Sequence, residues 1–112
     1  MRFIRSLLPL ALTCLVLTVA AAAADDVEIP VTIEKNRFQP DVIKVKAGTP
    51  FVLVVTIKYA TPEEFESKEL RIEKVIPGGK TLKIRVRALK AGSYPFVGDY
   101  HEATAKGRIV AE

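Results

Sequence analysis

Two short stretches of the chain each hold several side chains that are able to bind a metal ion. The first has four glutamates within seven positions, and the second combines the only histidine of the chain with two acidic residues. In chain order these candidates are Glu63, Glu64, Glu66 and Glu69, followed by Asp99, His101 and Glu102. Carboxylate oxygens with one imidazole favour a hard or borderline cation over Cu(I), which prefers sulfur. Such a donor set allows Fe(III), Fe(II) and Cu(II) and does not rank them.

These residues also have simpler explanations. Acidic residues in a polar segment more often form a solvated surface than a binding site. A lone histidine such as His101 more often has a structural hydrogen-bonding role. If residues 64–69 are extended, however, Glu64 and Glu66 share one face, because side chains alternate along a strand. A metal site and a solvated acidic surface both remain open at this point.

No arrangement typical of an enzyme is found in the sequence. Cys14 is the only thiol, and His101 has no serine beside it in a recognisable nucleophile turn. No glycine-rich loop that would hold a phosphate is present. We therefore predict a protein that is not an enzyme and has no small organic substrate. A ferroxidase-like reaction, which would need only a metal site and an electron acceptor, is the enzymatic alternative.

The N-terminal segment, residues 1–24, has the order of a secretory signal peptide. Arg2 and Arg5 give a positive start, an apolar run follows, and a series of small residues ends at Asp25. We predict a signal-peptide helix that is cleaved before Asp25, and export to the periplasm. Residues 25–112 then form the single domain of the protein.

Two alternatives to cleavage follow from the same segment. Residues 7–24 reach the lower length limit of a membrane anchor, and Cys14 would be the acceptor if the chain were a lipoprotein. Cleavage would remove two of the 17 basic residues and none of the 13 acidic ones, so that the net charge of +4 would fall to +2. A nearly neutral domain without interleaved basic and aromatic residues argues against nucleic acid as a partner.

The rest of the chain reads as short strands separated by turn residues. Apolar and polar residues alternate in three segments, which predicts half-buried strands. These segments are 27–33, 42–46 and 82–86. The apolar run 51–57 predicts a central strand covered on both faces, and the polar segment 58–68 predicts a loop that contains Pro62. The pattern predicts an all-β Greek-key sandwich of about seven to eight strands.

Four segments, taken in order, resemble the cupredoxin family. They are residues 38–50, 62–67, 76–80, and 91–101 followed by 106–110, and they cover nearly all of the chain after residue 24. The runs Glu-Phe-Glu-Ser and Phe-Val-Gly-Asp-Tyr-His within them are similar to cupredoxin-like proteins associated with periplasmic iron-uptake systems. The resemblance implies a cupredoxin-like sandwich in which both acidic stretches lie at the same end, so that their side chains converge.

The resemblance also implies where a blue-copper member would hold its ion. The histidine, cysteine, histidine and methionine of such a member fall on Glu63, Gly98 and His101 and near Ala105. Only His101 is retained. A type 1 copper centre requires two imidazoles and one thiolate, so this chain is not predicted to be a blue-copper electron carrier.

Taken together, the residues and the resemblance predict a periplasmic metal-binding protein that assists a metal-uptake system, and the resemblance implies an iron or copper ion as its cofactor. Its partners would be a membrane iron permease or other periplasmic uptake components. The predicted ligands are Glu66 and His101 first, then Glu64 and Asp99, with Glu63, Glu69 and Glu102 as a second set. Protonation of an imidazole ligand would weaken metal binding as the pH falls. A metal-free β-sandwich interaction module is the alternative from a different functional class.

Overall fold

The described part of the chain folds into nine β-strands and one short 3₁₀ helix. The computed structural model describes residues 2–3, 9, 11–16 and 26–112. The strands are β1 (Val27–Glu34), β2 (Arg37–Gln39), β3 (Val42–Val45), β4 (Phe51–Ile57), β5 (Glu63–Ser67), β6 (Ile72–Ile76), β7 (Thr81–Val86), β8 (Gly92–Gly98) and β9 (Lys106–Ala111). The 3₁₀ helix η1 (Asp99–His101) lies between β8 and β9.

The strands form two sheets that pack face to face. One sheet has four strands in the order β2-β1-β4-β7, and the other has five in the order β3-β9-β8-β5-β6. Strands β1 and β4 pair in parallel, as do β3 and β9, and the remaining pairs are antiparallel. The all-β sandwich predicted from the sequence is confirmed.

The core lies between the two sheets and is built from the buried apolar residues of the strands. In β4, five of the seven residues are buried, as expected for a strand covered on both faces. Three phenylalanines pack together in the core: the Phe65 ring stacks on Phe96 at a centroid distance of 5.0 Å, and Phe38 meets both rings edge-on. Phe65 and Phe96 fix β5 against β8, which positions the acidic residues of β5.

The prediction of a loop over residues 58–68 is wrong for its second half. Residues Glu63–Ser67 form β5, which pairs with β6 on one side and β8 on the other. The segment looks polar because its inward face carries Glu63 and Ser67 beside Phe65, and all three are buried. This strand and the three-residue β2 bring the total to nine, above the predicted seven to eight.

The N-terminal predictions fall for the most part on residues that the structure does not describe. The signal-peptide helix over 1–24 and the cleavage before Asp25 therefore stay predictions. Within the described part of the chain, no helix is long and apolar enough to cross a membrane.

Candidate metal centre

Strand β5 separates its glutamates onto two faces of the five-stranded sheet. Glu64 and Glu66 point outwards and are half-buried, whereas Glu63 points inwards and is fully buried. This division follows from the two-residue period of a strand. The buried Phe65 ring stabilises this orientation of β5, because the opposite orientation would expose the ring to solvent.

Helix η1 brings a third carboxylate to the outer face. It begins at Asp99, directly after β8, and β8 pairs with β5 through Phe65 opposite Gly98 and Glu66 opposite Val97. One oxygen from each of Glu64, Glu66 and Asp99 lies within 4.8 Å of the other two. We call these three residues the acidic site. Its spacing is compatible with one cation bound by all three carboxylates.

The acidic site lies in an open groove that has four other charged residues in its lining. They are Lys68, Glu69, Glu73 and Glu102. Glu73 is opposite Glu66 in the pairing of β6 with β5, so that two carboxylates stand directly across the strand pair. Like charges at such positions repel each other and destabilise the pair. The groove therefore concentrates negative charge well beyond the three ligand candidates.

The carboxylates of the groove raise one another's affinity for protons. Partial burial, together with the nearby Glu73 and Asp99, raises the pKa of Glu64 above its ordinary value. Partial burial and the charge of Asp99 likewise raise the pKa of Glu66, while Lys68 opposes the shift. A bound cation would remove this repulsion, because an opposite charge favours the ionised form of a carboxylate.

Glu63 lies beneath the acidic site and is held by four hydrogen bonds. Its Oε2 accepts one from the Tyr59 hydroxyl at 2.9 Å and lies 2.6 Å from Nδ1 of His101. Its Oε1 accepts from the backbone N–H groups of Tyr100 at 2.9 Å and Glu64 at 3.1 Å. Burial alone would raise the pKa of Glu63, but these hydrogen bonds outweigh it and hold the pKa below its ordinary value.

The structure places the predicted ligands in three groups. Glu64, Glu66 and Asp99 come together, and Glu69 and Glu102 line the surrounding groove. Glu63 and His101 instead bind each other, so that Nδ1 of the imidazole is already engaged.

Sequence analysis missed two contributors, Glu73 and Tyr59. The proximity of Glu73 to the acidic site follows only from the register between β5 and β6. The contact of Tyr59 with Glu63 was not foreseen, because Tyr59 lies in the segment that was predicted to be a loop.

The positions that correspond to a blue-copper site do meet, but their side chains do not fit that ion. A Cβ atom added at Gly98 would lie 2.8 Å from the Cβ of Ala105 and 2.9 Å from Cδ of Glu63. The Glu63 carboxylate thus fills the space into which a side chain at position 98 would project. With one imidazole and no thiolate at these positions, the donor set required for type 1 copper is absent.

A protein-family profile covers most of the chain. Residues 7–111 match the family described as "Cupredoxin-like domain", and the match begins within the predicted signal segment. An uncharacterized protein of Rickettsia prowazekii (strain Madrid E) is 35% identical over 83 residues, which make up 74% of this chain and 66% of the relative. The chain therefore spans just under two thirds of that relative's length.

Solved structures of copper proteins have the same fold. Auracyanin A, a blue copper protein from Chloroflexus aurantiacus, superposes with a TM-score of 0.67 at 14% identity. The superposition covers 79% of this chain and 100% of the auracyanin chain. The metal-binding domain of the Cu(I)-exporting P-type ATPase CopA from Streptococcus pneumoniae D39 gives a TM-score of 0.69 at 18% identity, covering 81% of this chain and 91% of its own. At these identities the similarity concerns the fold alone.

Proposed function

The chain belongs to the family of cupredoxin-like domains, and from this premise we propose that it is an exported protein that binds an iron or copper ion as an accessory to metal uptake. The ion would be held by Glu64, Glu66 and Asp99. The observation that carries the proposal is the convergence of one oxygen from each of these residues to within 4.8 Å. This set omits the predicted ligand His101, because neither ring nitrogen of His101 belongs to the group of atoms that converge; its Nδ1 contacts Glu63 instead.

The donor atoms decide which ions suit the site. All three are carboxylate oxygens, and such ligands favour hard or borderline cations over Cu(I). Fe(III), Fe(II) and Cu(II) are compatible with the acidic site. Cu(I) would find no sulfur donor in residues 26–112, where the sequence contains neither cysteine nor methionine.

The position of the acidic site suits a cargo that is passed on. Glu64 and Glu66 are half-buried and Asp99 is exposed, so the site opens to solvent along the groove. An open site allows a partner to approach the ion directly. We propose a membrane iron permease or another uptake component of the periplasm as that partner, in agreement with the signal-like N-terminus and the resemblance noted above.

A metal-free interaction module is the second candidate, and one observation favours it. In the described part of the chain, every buried side-chain nitrogen and oxygen has a hydrogen-bond partner without any ion. The fold is thus complete without metal, and the acidic groove would then be a docking surface for a basic partner. A ferroxidase-like reaction remains a third proposal, and faster consumption of Fe(II) by the protein than by buffer would support it.

Thermal unfolding separates the first two candidates. A ligand that binds only the folded state at one hundred times its dissociation constant stabilises that state by about 2.7 kcal/mol, which for a domain of this size raises the melting temperature by on the order of 10 °C. We expect this rise with anaerobic Fe²⁺ or with Mn²⁺, and its reversal by a chelator. An unchanged melting temperature with each of Fe²⁺, Mn²⁺ and Cu²⁺ would favour the metal-free module.

A further inference from the structure

The buried Glu63 carboxylate connects strand β5 to helix η1. Two of its four hydrogen-bond partners, the N–H of Tyr100 and the Nδ1 of His101, belong to η1. The other two come from the start of β5 and from the segment before it, through Glu64 N–H and the Tyr59 hydroxyl. One side chain thus joins the two elements that supply the acidic site.

The loop that carries η1 is closed upon itself at its other end. The N–H of Gly98 donates to the carbonyl of Ala105 at 2.8 Å, and the N–H of Ala105 donates to the carbonyl of His101 at 2.8 Å. These bonds shape the loop but none of them attaches it to β5. The hydrogen bonds that Glu63 makes with Tyr100 and His101 join η1 to β5, in addition to the pairing of Phe65 with Gly98 directly before η1.

The attachment reaches Asp99 through the backbone. Asp99 is the residue directly before Tyr100, whose N–H is bound by Glu63, and Glu64 follows Glu63 in β5. Asp99 is therefore only one peptide unit away from the hydrogen bond between Glu63 and the Tyr100 N–H. Without the bonds from Glu63, Asp99 would keep its chain connection to β8, whose Gly98 pairs with Phe65, but η1 would lose the hydrogen bonds that attach Tyr100 and His101 to β5.

We propose that Glu63 is a positioning residue, which anchors η1 through Tyr100 and His101 and thereby places Asp99 beside Glu64 and Glu66. It need not contact the ion, because its oxygens are engaged in the hydrogen bonds described above. Its role resembles that of outer residues which orient metal ligands, and whose loss typically weakens metal affinity by about 10- to 100-fold. The part that concerns metal affinity rests on the proposed function, whereas the anchoring of η1 does not.

The test compares three variants of the full chain. Glu63→Met keeps the length of the side chain but removes every acceptor, and Glu63→Gln keeps one acceptor oxygen for Tyr100. Ser67→Ala is the matched control: Ser67 lies on the same buried face of β5, and its hydroxyl donates to the carbonyl of Pro95 at 2.9 Å, away from η1. Two quantities are measured, the hydrogen-exchange rate of the Tyr100 amide without metal and the dissociation constant for Mn²⁺.

We expect Glu63→Met to accelerate exchange at Tyr100 and to weaken Mn²⁺ binding by at least about tenfold. Glu63→Gln should recover most of both properties, and Ser67→Ala should leave both near the wild-type values although it lowers stability. If Glu63→Met does not fold, His101→Phe removes one of the two links to η1 and should give a smaller change in the same direction.

Measuring both the exchange rate and the dissociation constant separates failure of this inference from failure of the proposed function. A wild-type protein that binds no Mn²⁺ would contradict the metal site, while the exchange of Tyr100 would still test the anchor. Unchanged exchange at Tyr100 in Glu63→Met would overturn the positioning role. An equal loss of affinity in Ser67→Ala would also overturn it, because the effect would then follow from stability alone.

Discussion

The Nδ1 atom of His101 lies 2.6 Å from Oε2 of Glu63, and this contact joins residues 38 positions apart in the chain. Through this contact the only histidine of the chain binds a carboxylate of the protein. The contact lies at the position where the resemblance would place a copper ligand. The acidic site on the outer face is formed by other carboxylates, Glu64, Glu66 and Asp99. The chain thus has the fold of copper proteins, but the positions of the type 1 copper ligands do not carry the required donors.

A methyl group at position 98 should destabilise the domain. In Gly98→Ala the new Cβ would lie within 3 Å of both Ala105 and the Glu63 carboxylate. Overpacking of this kind typically costs about 1–3 kcal/mol. The free energy of unfolding in urea measures the effect.

Gly92→Ala, in the same strand, is the control for Gly98→Ala. The nearest atoms to its added Cβ belong to the Tyr94 ring at 3.7 Å, an ordinary contact distance. We expect the control to change the free energy of unfolding by well under about 1 kcal/mol. Equal losses in the two variants would contradict the close packing around Gly98.

Acid should weaken the domain through Glu63. Its pKa is lower in the folded than in the unfolded state, because the hydrogen bonds from His101, Tyr100, Tyr59 and Glu64 outweigh its burial. The unfolded state therefore binds more protons between the two values. The contribution of Glu63 is complete above the ordinary value of 4.5 and is lost as the pH falls through the folded value.

Urea unfolding between pH 7 and pH 3 in metal-free buffer measures this effect. We expect the free energy of unfolding to fall less steeply below about pH 4.5 in Glu63→Gln than in the wild type. Glu28→Gln, which removes an exposed carboxylate paired with Lys83, should follow the wild-type profile. A Glu63→Gln profile parallel to that of the wild type would show that the carboxylate is not stabilised as described.

Copper should bind without forming a blue centre. In a full chain carrying Cys14→Ser no thiolate remains, and the intense sulfur-to-copper charge-transfer band requires one. Titration with Cu²⁺ followed by visible absorption should give only weak bands. Cu(I) should be lost completely to a competing chelator, since the donors are oxygens. An intense visible band, or retention of Cu(I), would contradict the oxygen-only donor set.

Much of the fold could be predicted from local patterns. Strands β1, β3, β4 and β7 follow regular alternation or a continuous apolar run, and each was predicted within a few residues of its bounds. These elements obey the rule that inward residues are apolar, so their sequence suffices to define them.

Strand β5 could not be predicted because its inward face breaks that rule. Glu63 is a charged residue in a fully buried position, and it is tolerated because Tyr59, Tyr100 and His101 supply hydrogen bonds. Two of these partners are distant in sequence. The pairing of His101 with Glu63, and hence its separation from the acidic site, depends on contacts that no local pattern contains.

Glu64, Glu66 and Asp99 were each predicted as ligands from the sequence. That they form a group to which His101 does not belong was not predicted. Alternation along an extended β5 predicts a shared face for Glu64 and Glu66. The proximity of Asp99 depends on the pairing of β5 with β8 and on the anchoring of η1. The opposing Glu73 depends on the β5–β6 register, which short polar strands leave weakly specified in sequence.

Calorimetric titration of the protein with anaerobic Fe²⁺ tests the proposed site most directly. The site variant combines Glu64→Gln, Glu66→Gln and Asp99→Asn. A matched control combines Asp26→Asn, Glu28→Gln and Glu34→Gln, which remove the same charge from strand β1 and the residue before it. The ion pairs lost in this control, Lys83–Glu28 and Arg85–Asp26, are largely exposed and contribute little to stability. We predict one binding site in the wild type and in the control, and loss of that site in the site variant; equal binding by all three proteins would contradict the assignment of the acidic site as the metal centre.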